Sequence, residues 1–424
     1  MQGSSSVERP KDIPTVRYIR WVLISATLLA GALVAFLIVS GAQARRSLSQ
    51  DPEVALAWRS NDGQALSAVA ERQFLNAKAA GRPAVEAGAL ARRSLEAGPL
   101  DVRALRVLGW VAEDSGDFDR ALRLIKLAAA RSQRDVSSHL WMFYNRVSAR
   151  DYDAAFGHAD ALMRYGGLRQ DTATVVSTLA ASDSRAAAAL ARRMAYGPGW
   201  REVVLSDLAL NRDPAKALSV MLAIKEAGSD ITPKESAILA SRLVQEKRVQ
   251  EAYLSWILLQ PASSLGAARN VFDGEFEGLP GAGPFAWNFS GARDGDVVEI
   301  ASGPSGSGQV LSARTRGGVK SVLAEQMLLL APGVYRLATR SYNDSAADPG
   351  MKWVVSCHDS AAELLSLAPG PGATAVWTDS KATFVVSQDC PTQKLVLTST
   401  GDPGGPSWVR FESVSIDRID GAEG

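Results

Sequence analysis

A run of 19 residues without a charged side chain, Trp21–Val39, is the feature that most constrains this chain. At about 1.5 Å per residue a helix of that length spans roughly 28 Å, close to the roughly 30 Å of hydrocarbon in a bilayer. Four basic residues precede the run, which favours a cytoplasmic N-terminus. We therefore predict a basic cytoplasmic segment at 1–20 and a membrane anchor at 21–42. The expected location is a bacterial inner membrane, crossed once, with the bulk of the chain in the periplasm.

Two other interpretations of the apolar run stay open. The residues Ala42-Gln43-Ala44 form the small-residue pattern of a signal peptidase site, so the segment is a candidate for cleavage. A signal-peptide core usually has 7–15 apolar residues, which is shorter than this run and favours the uncleaved anchor. A buried helix of a cytosolic protein is the third interpretation, but such a helix rarely lacks a polar face over this length.

The charge of the remaining chain changes sign near residue 270. Residues 45–269 contain 31 Lys and Arg against 25 Asp and Glu, whereas residues 270–424 contain 11 against 18. The helical pattern gives way to a strand pattern at the same place, so we predict a domain boundary at 265–270. The two cysteines, Cys357 and Cys390, both fall in the second part. An exported protein could join them in a disulfide, and two buried free thiols are the alternative.

Residues 50–265 carry a helical repeat. The sequence GDFDRA at 116–121 matches RDYDAA at 150–155 with an offset of 34 residues, and similar turns begin at 212 and 247. The pattern is typical of two helices joined by a tight polar turn, in which a small Ala allows the helices to pack closely. Because one such hairpin cannot bury its apolar face alone, we predict an α-solenoid of five or six stacked hairpins.

This repeat resembles the tetratricopeptide repeat, with Leu108-Gly109 and Ala121 at family-like positions. Ala112 departs from the family, which prefers Tyr there. The resemblance implies that the solenoid binds a protein partner along its concave face. Four arginines could line that face or form a solvated outer surface, and the sequence leaves this open; they are Arg92, Arg93, Arg103 and Arg106.

After residue 269 the sequence changes to short alternating runs separated by Gly, Pro, Asn and Asp. Such spacing predicts an antiparallel β-sandwich of jelly-roll type over 270–420. The predicted strands are Val271–Glu277, Phe285–Phe289, Val297–Ala301, Gln309–Arg316, Gly333–Tyr342, Lys352–Cys357, Ala373–Trp377, Ala382–Val386, Lys394–Thr398 and Trp408–Ile416.

The order of motifs in this part resembles the galactose-binding-like sandwiches of carbohydrate-binding modules. It begins with NVFDGEFE at 270–277 and PFAW at 284–287, and it ends with VSID at 414–417. The resemblance implies glycan binding, because sugar rings dock on exposed aromatic faces beside hydrogen-bonding side chains. The candidate glycan-binding residues are Trp353, Trp377, Tyr342, Asn343 and Asp344. The alternative is that Trp353 and Trp377 fill the sandwich and that 342–345 forms a loop.

Modules of this kind commonly hold a structural Ca²⁺, so the resemblance also makes Glu275, Glu277 and Asp417 candidate ligands. We expect no other cofactor. The three histidines show no metal-ligand spacing, and His358-Asp359-Ser360 is too local to form a catalytic triad. We therefore predict that the protein is not an enzyme.

These features together favour a non-catalytic envelope scaffold whose solenoid binds a protein and whose sandwich contacts a polysaccharide. Such a protein would serve the assembly or export of an envelope or extracellular glycan. The alternative is a protein–protein adaptor whose sandwich binds protein or caps the solenoid, and a glycan-acting enzyme with paired carboxylates is a third hypothesis. We expect no nucleic-acid partner.

Overall fold

The computed structural model describes residues 14–165, 167–267, 269–278, 281–290, 296–306, 308–315, 320–344, 348–370, 376–400 and 408–419. The chain forms two compact units, Met1–Leu162 and Met163–Gly424. Within the described residues, fourteen α-helices are followed by ten β-strands, which confirms the predicted fold class. The predicted N-terminal segment up to residue 13 lies outside the described residues, as do residue 316 and residues 373–375 of two predicted strands.

The helices begin with a long apolar one. The bounds are α1 Pro14–Ser47, α2 Pro52–Trp58, α3 Gly63–Ala79, α4 Val85–Ala97, α5 Val102–Asp114, α6 Phe118–Arg131, α7 Val136–Ser148, α8 Tyr152–Arg164, α9 Arg169–Ser182, α10 Ser184–Met194, α11 Arg201–Asn211, α12 Pro214–Glu226, α13 Pro233–Gln245 and α14 Val249–Leu259. In α1, the stretch Trp21–Ser47 is long and apolar enough to cross a membrane, a test that a signal sequence near the N-terminus also passes. From α3 onward the described helices pair in sequence, which gives six hairpins.

Each turn of the repeat ends one helix and starts the next. Gly116 and Arg150 hold the same left-handed position, with φ of 81° and 56°, directly after α5 and α7. The following aspartates then accept a hydrogen bond from a backbone N–H of the next helix, Asp117 from Arg120 and Asp151 from Ala154. A left-handed residue satisfies the last carbonyls of a helix, and an aspartate N-cap satisfies the first amides of another. The GDFDRA pattern is therefore a helix stop joined to a helix start.

Gly109 and Ala121 let α5 and α6 approach closely. A Cβ atom on Gly109 would come within 2.4 Å of Ile125 Cγ1, so a larger residue would push the helices apart. Ala121 and Ile125 are fully buried in the same interface. The residues that carry the resemblance to the tetratricopeptide repeat thus serve close packing within the hairpin.

Polar contacts connect successive hairpins of the first unit. The Arg106 guanidinium is 5% exposed and pairs with Glu71 at 2.6 Å and with Asp135. Arg103 joins the same Glu71 at 3.0 Å. Ser67 donates to Asp101 at 2.8 Å, a contact that spans 34 residues. Of the four arginines in question, Arg106 therefore belongs neither to a solvated face nor to an open concave one, because it is buried between repeats. The side chains of Arg92 and Arg93 are exposed.

A similar contact connects hairpins of the second unit. Arg201 donates to both carboxylate oxygens of Glu235, at 2.8 and 2.9 Å, across 34 residues of sequence. Both side chains are nearly buried, at 10% and 5% exposed. Glu235 also accepts from the backbone N–H of Thr232 and so completes a capping box at the start of α13.

We expect Glu235→Ala to lower the free energy of unfolding by about 3–5 kcal/mol, because it leaves the buried Arg201 charge unpaired. Glu202→Ala is the matched control, since the Glu202–Lys234 pair at 2.7 Å is 55% and 72% exposed. Such a pair contributes about 0–1 kcal/mol. Denaturant unfolding of both variants measures the difference, and equal effects would contradict the assigned role of the buried pair.

The β-sandwich consists of two five-stranded antiparallel sheets, with the orders β1-β4-β9-β6-β7 and β2-β3-β10-β5-β8. The strands are β1 Asn288–Phe289, β2 Val297–Ser302, β3 Gln309–Arg314, β4 Val322–Leu328, β5 Gly333–Asn343, β6 Met351–Cys357, β7 Glu363–Leu367, β8 Trp377–Val386, β9 Gln393–Ser399 and β10 Trp408–Arg418. Inward side chains of both sheets form one apolar core.

Several strand predictions were wrong in detail. Val271–Glu277 is not a strand, because Asp273 and Phe276 adopt left-handed backbone angles, φ 49° and 53°. The residues predicted as two strands around 373–386 contribute one strand, β8, as far as they are described. The strands β4 and β7 were not predicted.

Candidate functional site

The outer face of the second sheet carries an aromatic pair. Tyr342 in β5 and Trp377 at the start of β8 stand opposite each other in the antiparallel register. Both are half-buried, and their ring centroids lie 5.5 Å apart with planes inclined at 59°. Since Tyr335 and Leu337 point into the core, the alternation along β5 places Tyr342 on the outside.

Two arginines flank these rings. The guanidinium carbon of Arg340 lies 5.8 Å from the Trp377 ring centroid. The guanidinium carbon of Arg410 lies 5.7 Å from the Tyr342 ring centroid. Nη1 of Arg410 forms an ion pair with Oδ2 of Asp344 at 3.6 Å. Cation–π contacts contribute about 0.5–1 kcal/mol each at exposed sites. The arginines therefore fix the rings in place and add hydrogen-bond donors beside them.

The surroundings of the pair extend onto β3 and β10. Arg340 also pairs with Glu412 at 3.1 Å. The backbone N–H of Trp408 donates to Asp344 at 3.1 Å, and Arg314 stacks over the Trp408 ring at 5.1 Å. One row of paired residues crosses all five strands of the sheet: Glu299, Ser312, Arg410, Tyr342 and Trp377. The face thus combines aromatic rings, donors and carboxylate acceptors in a strip.

The structure brings three of the five predicted glycan-binding residues together, Tyr342, Asp344 and Trp377. The arginines, Trp408, Glu299 and Glu412 were missed by the sequence analysis because they form no motif. Strand alternation predicts their position. Arg340 lies on the same face of β5 as Tyr342, and Arg410 lies on the same face of β10 as Trp408.

The other two predicted residues point into the sandwich. Trp353 is 0% exposed, and its ring centroid lies 5.3 Å from Phe411 and 5.7 Å from Trp287. Its indole fills the core, as the alternative interpretation stated, and offers no face to a sugar. Asn343 is 4% exposed, and neither polar atom of its side-chain amide has a hydrogen-bond partner.

The candidate calcium ligands do not form a group. Glu275, Glu277 and Asp417 all have exposed side chains. Among the described residues, no three His, Cys, Asp or Glu side chains are arranged so that they could hold a metal ion. The Asp417 carboxylate instead accepts from the Ser415 hydroxyl at 3.2 Å.

Cys357 and Cys390 form a disulfide, with Cα atoms 5.5 Å apart. Cys357 ends β6, and Cys390 lies between β8 and β9. In an antiparallel sandwich this is the end opposite to the starts of β8 and β10, where Trp377 and Trp408 stand. The disulfide therefore closes the end remote from the aromatic pair.

The first unit offers a different surface, a cavity of about 500 Å³ beside α3 and α5. Phe74 and Trp110 stack in it with ring centroids 5.3 Å apart, and Leu75 at its wall is 54% exposed. Lys78 and Asp114 form an ion pair at its rim. This combination of apolar floor and charged rim suits a segment of a protein.

Two of the three histidines meet in the first unit. His139 and His158 approach through their Nδ1 atoms at 3.0 Å, and His139 Nε2 lies 3.2 Å from the Ser132 carbonyl oxygen. A hydrogen bond between two Nδ1 atoms needs one donor and one acceptor, so at least one ring must be neutral. Burial, with the nearby His139 and Arg146, lowers the pKa of His158 to about 4. Burial also lowers the pKa of His139.

We expect the stability of the first unit to fall as the pH drops from about 6.5 to about 4, since the unfolded His158 takes up a proton before the folded one does. The full shift corresponds to about 3.4 kcal/mol; because His158 is only half-buried and partly screened by solvent, we expect a loss of about 2 kcal/mol that levels off below pH 4. His158→Gln should flatten this dependence, whereas His358→Gln, in the sandwich, should leave it unchanged. Unfolding midpoints across this pH range measure the effect, and an unchanged slope in His158→Gln would refute it.

Comparisons with known proteins identify no family. No family model and no curated protein matches the sequence. Among solved structures, the carbohydrate-binding module TmCBM61 in complex with β-1,4-galactotriose is 16% identical with a TM-score of 0.26, covering 36% of this chain and 100% of that one. A second carbohydrate-binding module, of family 16, is 16% identical with a TM-score of 0.25, covering 35% and 100%. The Pseudomonas aeruginosa protein pilF is 15% identical with a TM-score of 0.23, covering 46% and 76%.

Proposed function

We propose that this protein is a membrane-anchored, non-catalytic scaffold whose β-sandwich binds a glycan and whose helical hairpins bind a protein. The half-buried pair of Tyr342 and Trp377 on the outer face of the second sheet carries the proposal. Aromatic faces flanked by charged hydrogen-bonding groups are suited to sugars, which present apolar ring faces and polar hydroxyl edges.

The charged groups around the pair fit binding better than catalysis. The carboxylates of Asp344 and Glu412 each pair with an arginine, at 3.6 and 3.1 Å. Both are thereby held in place as hydrogen-bond acceptors for hydroxyl groups. Glycoside hydrolysis would instead need two carboxyl groups facing one bond across about 5–10 Å.

The cellular role follows from combining the parts. The apolar α1 would hold the chain in a bacterial inner membrane with the hairpins and the sandwich in the periplasm. The cavity lined by Phe74 and Trp110 would receive a segment of the protein partner. A protein that holds both a glycan and a partner at the membrane suits the assembly or export of an envelope or extracellular polysaccharide.

The alternative, an adaptor whose sandwich binds protein, has one observation in its favour. It requires the sandwich tryptophans to be buried, and Trp353 is buried. Trp377 is half-exposed, which favours the glycan hypothesis.

We expect the full chain in detergent to bind one class of immobilised polysaccharide and the double variant Tyr342→Ala/Trp377→Ala to lose that binding. Aromatic residues at the centre of an interface contribute about 2 kcal/mol or more each, so losing both should weaken binding by about 4 kcal/mol, or roughly 700-fold. Val385→Ala is the matched control, because Val385 lies on the same face of β8 at its other end and is 62% exposed.

Unchanged binding in the double variant would remove the proposed site. If the wild-type chain binds no glycan while crosslinking in cells joins its sandwich to another protein, the adaptor replaces the scaffold. Crosslinking from a photoreactive residue at Leu75 tests the hairpin surface separately, because it should capture a protein partner that Trp110→Ala no longer captures.

A further inference from the structure

The end of α1 packs directly onto the first helices of the soluble chain. Ser40 and Ala44 are each 2% exposed, and Ala44 shares a small apolar cluster with Ala55 and Ala65. The Arg59 guanidinium lies beside Gly41, where a Cβ atom would be 3.6 Å from Nη1. The apolar helix therefore enters the first unit without a flexible linker.

A cavity of about 1160 Å³ opens beside this junction. The end of α1 forms one wall, and the turns that precede α3, α5 and α7 form the others. Five of the residues that line it are arginines: Arg45, Arg59, Arg103, Arg106 and Arg134.

The three carboxylates of the cavity have partners within the protein. Asp62 and Asp101 each accept a backbone N–H as the N-cap of a helix. Asp135 pairs with Arg106. Among the residues that the structure describes, Arg45 and Arg59 have no carboxylate within 4.0 Å. The cavity thus has positive charge available for an anion.

Along α1, the cavity lies at the outer edge of the headgroup layer. Ala44 and Leu48 lie about 7 and 13 Å beyond Val39, the last residue of the apolar run, at about 1.5 Å per residue. Lipid headgroups occupy roughly 5–8 Å outside the hydrocarbon. The mouth of the cavity would therefore lie where headgroups end.

We infer that this cavity binds the headgroup of an anionic phospholipid from the leaflet in which α1 emerges. Its phosphate contacts Arg45, at the end of α1, and Arg59, before α3. The inference rests on the membrane anchor of the proposed function, and it adds a lipid ligand that the scaffold hypothesis does not require.

The test uses the full chain in nanodiscs of phosphatidylcholine with and without phosphatidylglycerol. After release into mild detergent, native mass spectrometry counts the phosphatidylglycerol molecules that stay bound. We expect retained phosphatidylglycerol on the wild-type chain and about tenfold weaker retention in Arg45→Gln, the effect of losing one charge-assisted hydrogen bond to the phosphate. Arg46→Gln is the matched control, because Arg46 is exposed in the next position and does not line the cavity.

The Arg45→Gln/Arg59→Gln variant should lose retention altogether, and the single variant keeps the test valid if loss of Arg59 disturbs the junction. Equal retention in Arg45→Gln and Arg46→Gln would overturn the inference while leaving the anchor intact. Displacement of the lipid by inorganic phosphate as readily as by glycerol 3-phosphate would identify a free-anion site and also overturn it. A chain that does not enter nanodiscs at all would overturn the anchor first and this inference with it.

Discussion

Burial of the Trp256 indole joins the last helices to the sandwich. Trp256 in α14 is 1% exposed, and its ring centroid lies 5.0 Å from Phe272 and 5.8 Å from Phe285. Its indole N–H donates to the carbonyl oxygen of Ala282 at 3.1 Å. Replacing a buried Trp or Phe by Ala costs about 3–5 kcal/mol. The sandwich and the last hairpin therefore share an apolar core instead of being separated by a free linker.

The segment before the first strand depends on this core. The side-chain amide of Gln326 accepts a hydrogen bond from the backbone N–H of Phe272 at 2.9 Å and donates one to the carbonyl oxygen of Phe272 at 3.0 Å. These are the two bonds that a neighbouring strand would make. A Cβ atom on Gly274 would lie 2.2 Å from the Val414 carbonyl oxygen, so only glycine allows the segment to reach β10. The alternating apolar residues at 271–277 predicted a strand, because alternation indicates which side chains are buried but not which backbone angles they adopt. The left-handed angles at Asp273 and Phe276 leave no such signal.

The sequence was more informative for the helices than for the site. The hairpins α5–α6 and α7–α8 share a local signal 34 residues apart, a left-handed residue followed by an aspartate cap. The buried pair of Arg201 and Glu235 could not be predicted, since it depends on which turns stack on one another. Within the sandwich, residue type alone selected Trp353 and Asn343 together with Tyr342. Strand alternation distinguishes the buried residues from the outer one. Asn343 lies on the inward face of β5 with Tyr335 and Leu337, and Trp353 lies on the inward face of β6 with Met351 and Val355.

The two ends of the sandwich differ in how freely they can change over evolution. At one end the disulfide of Cys357 and Cys390 and the aromatic contacts of Trp256 tie the connections to the core. At the other end β5, β8 and β10 present Tyr342, Trp377 and Trp408 on strand termini, where insertions into the connections would leave those core contacts intact. Sequence changes at that end can therefore accumulate without loss of the fold or of its attachment to the helices.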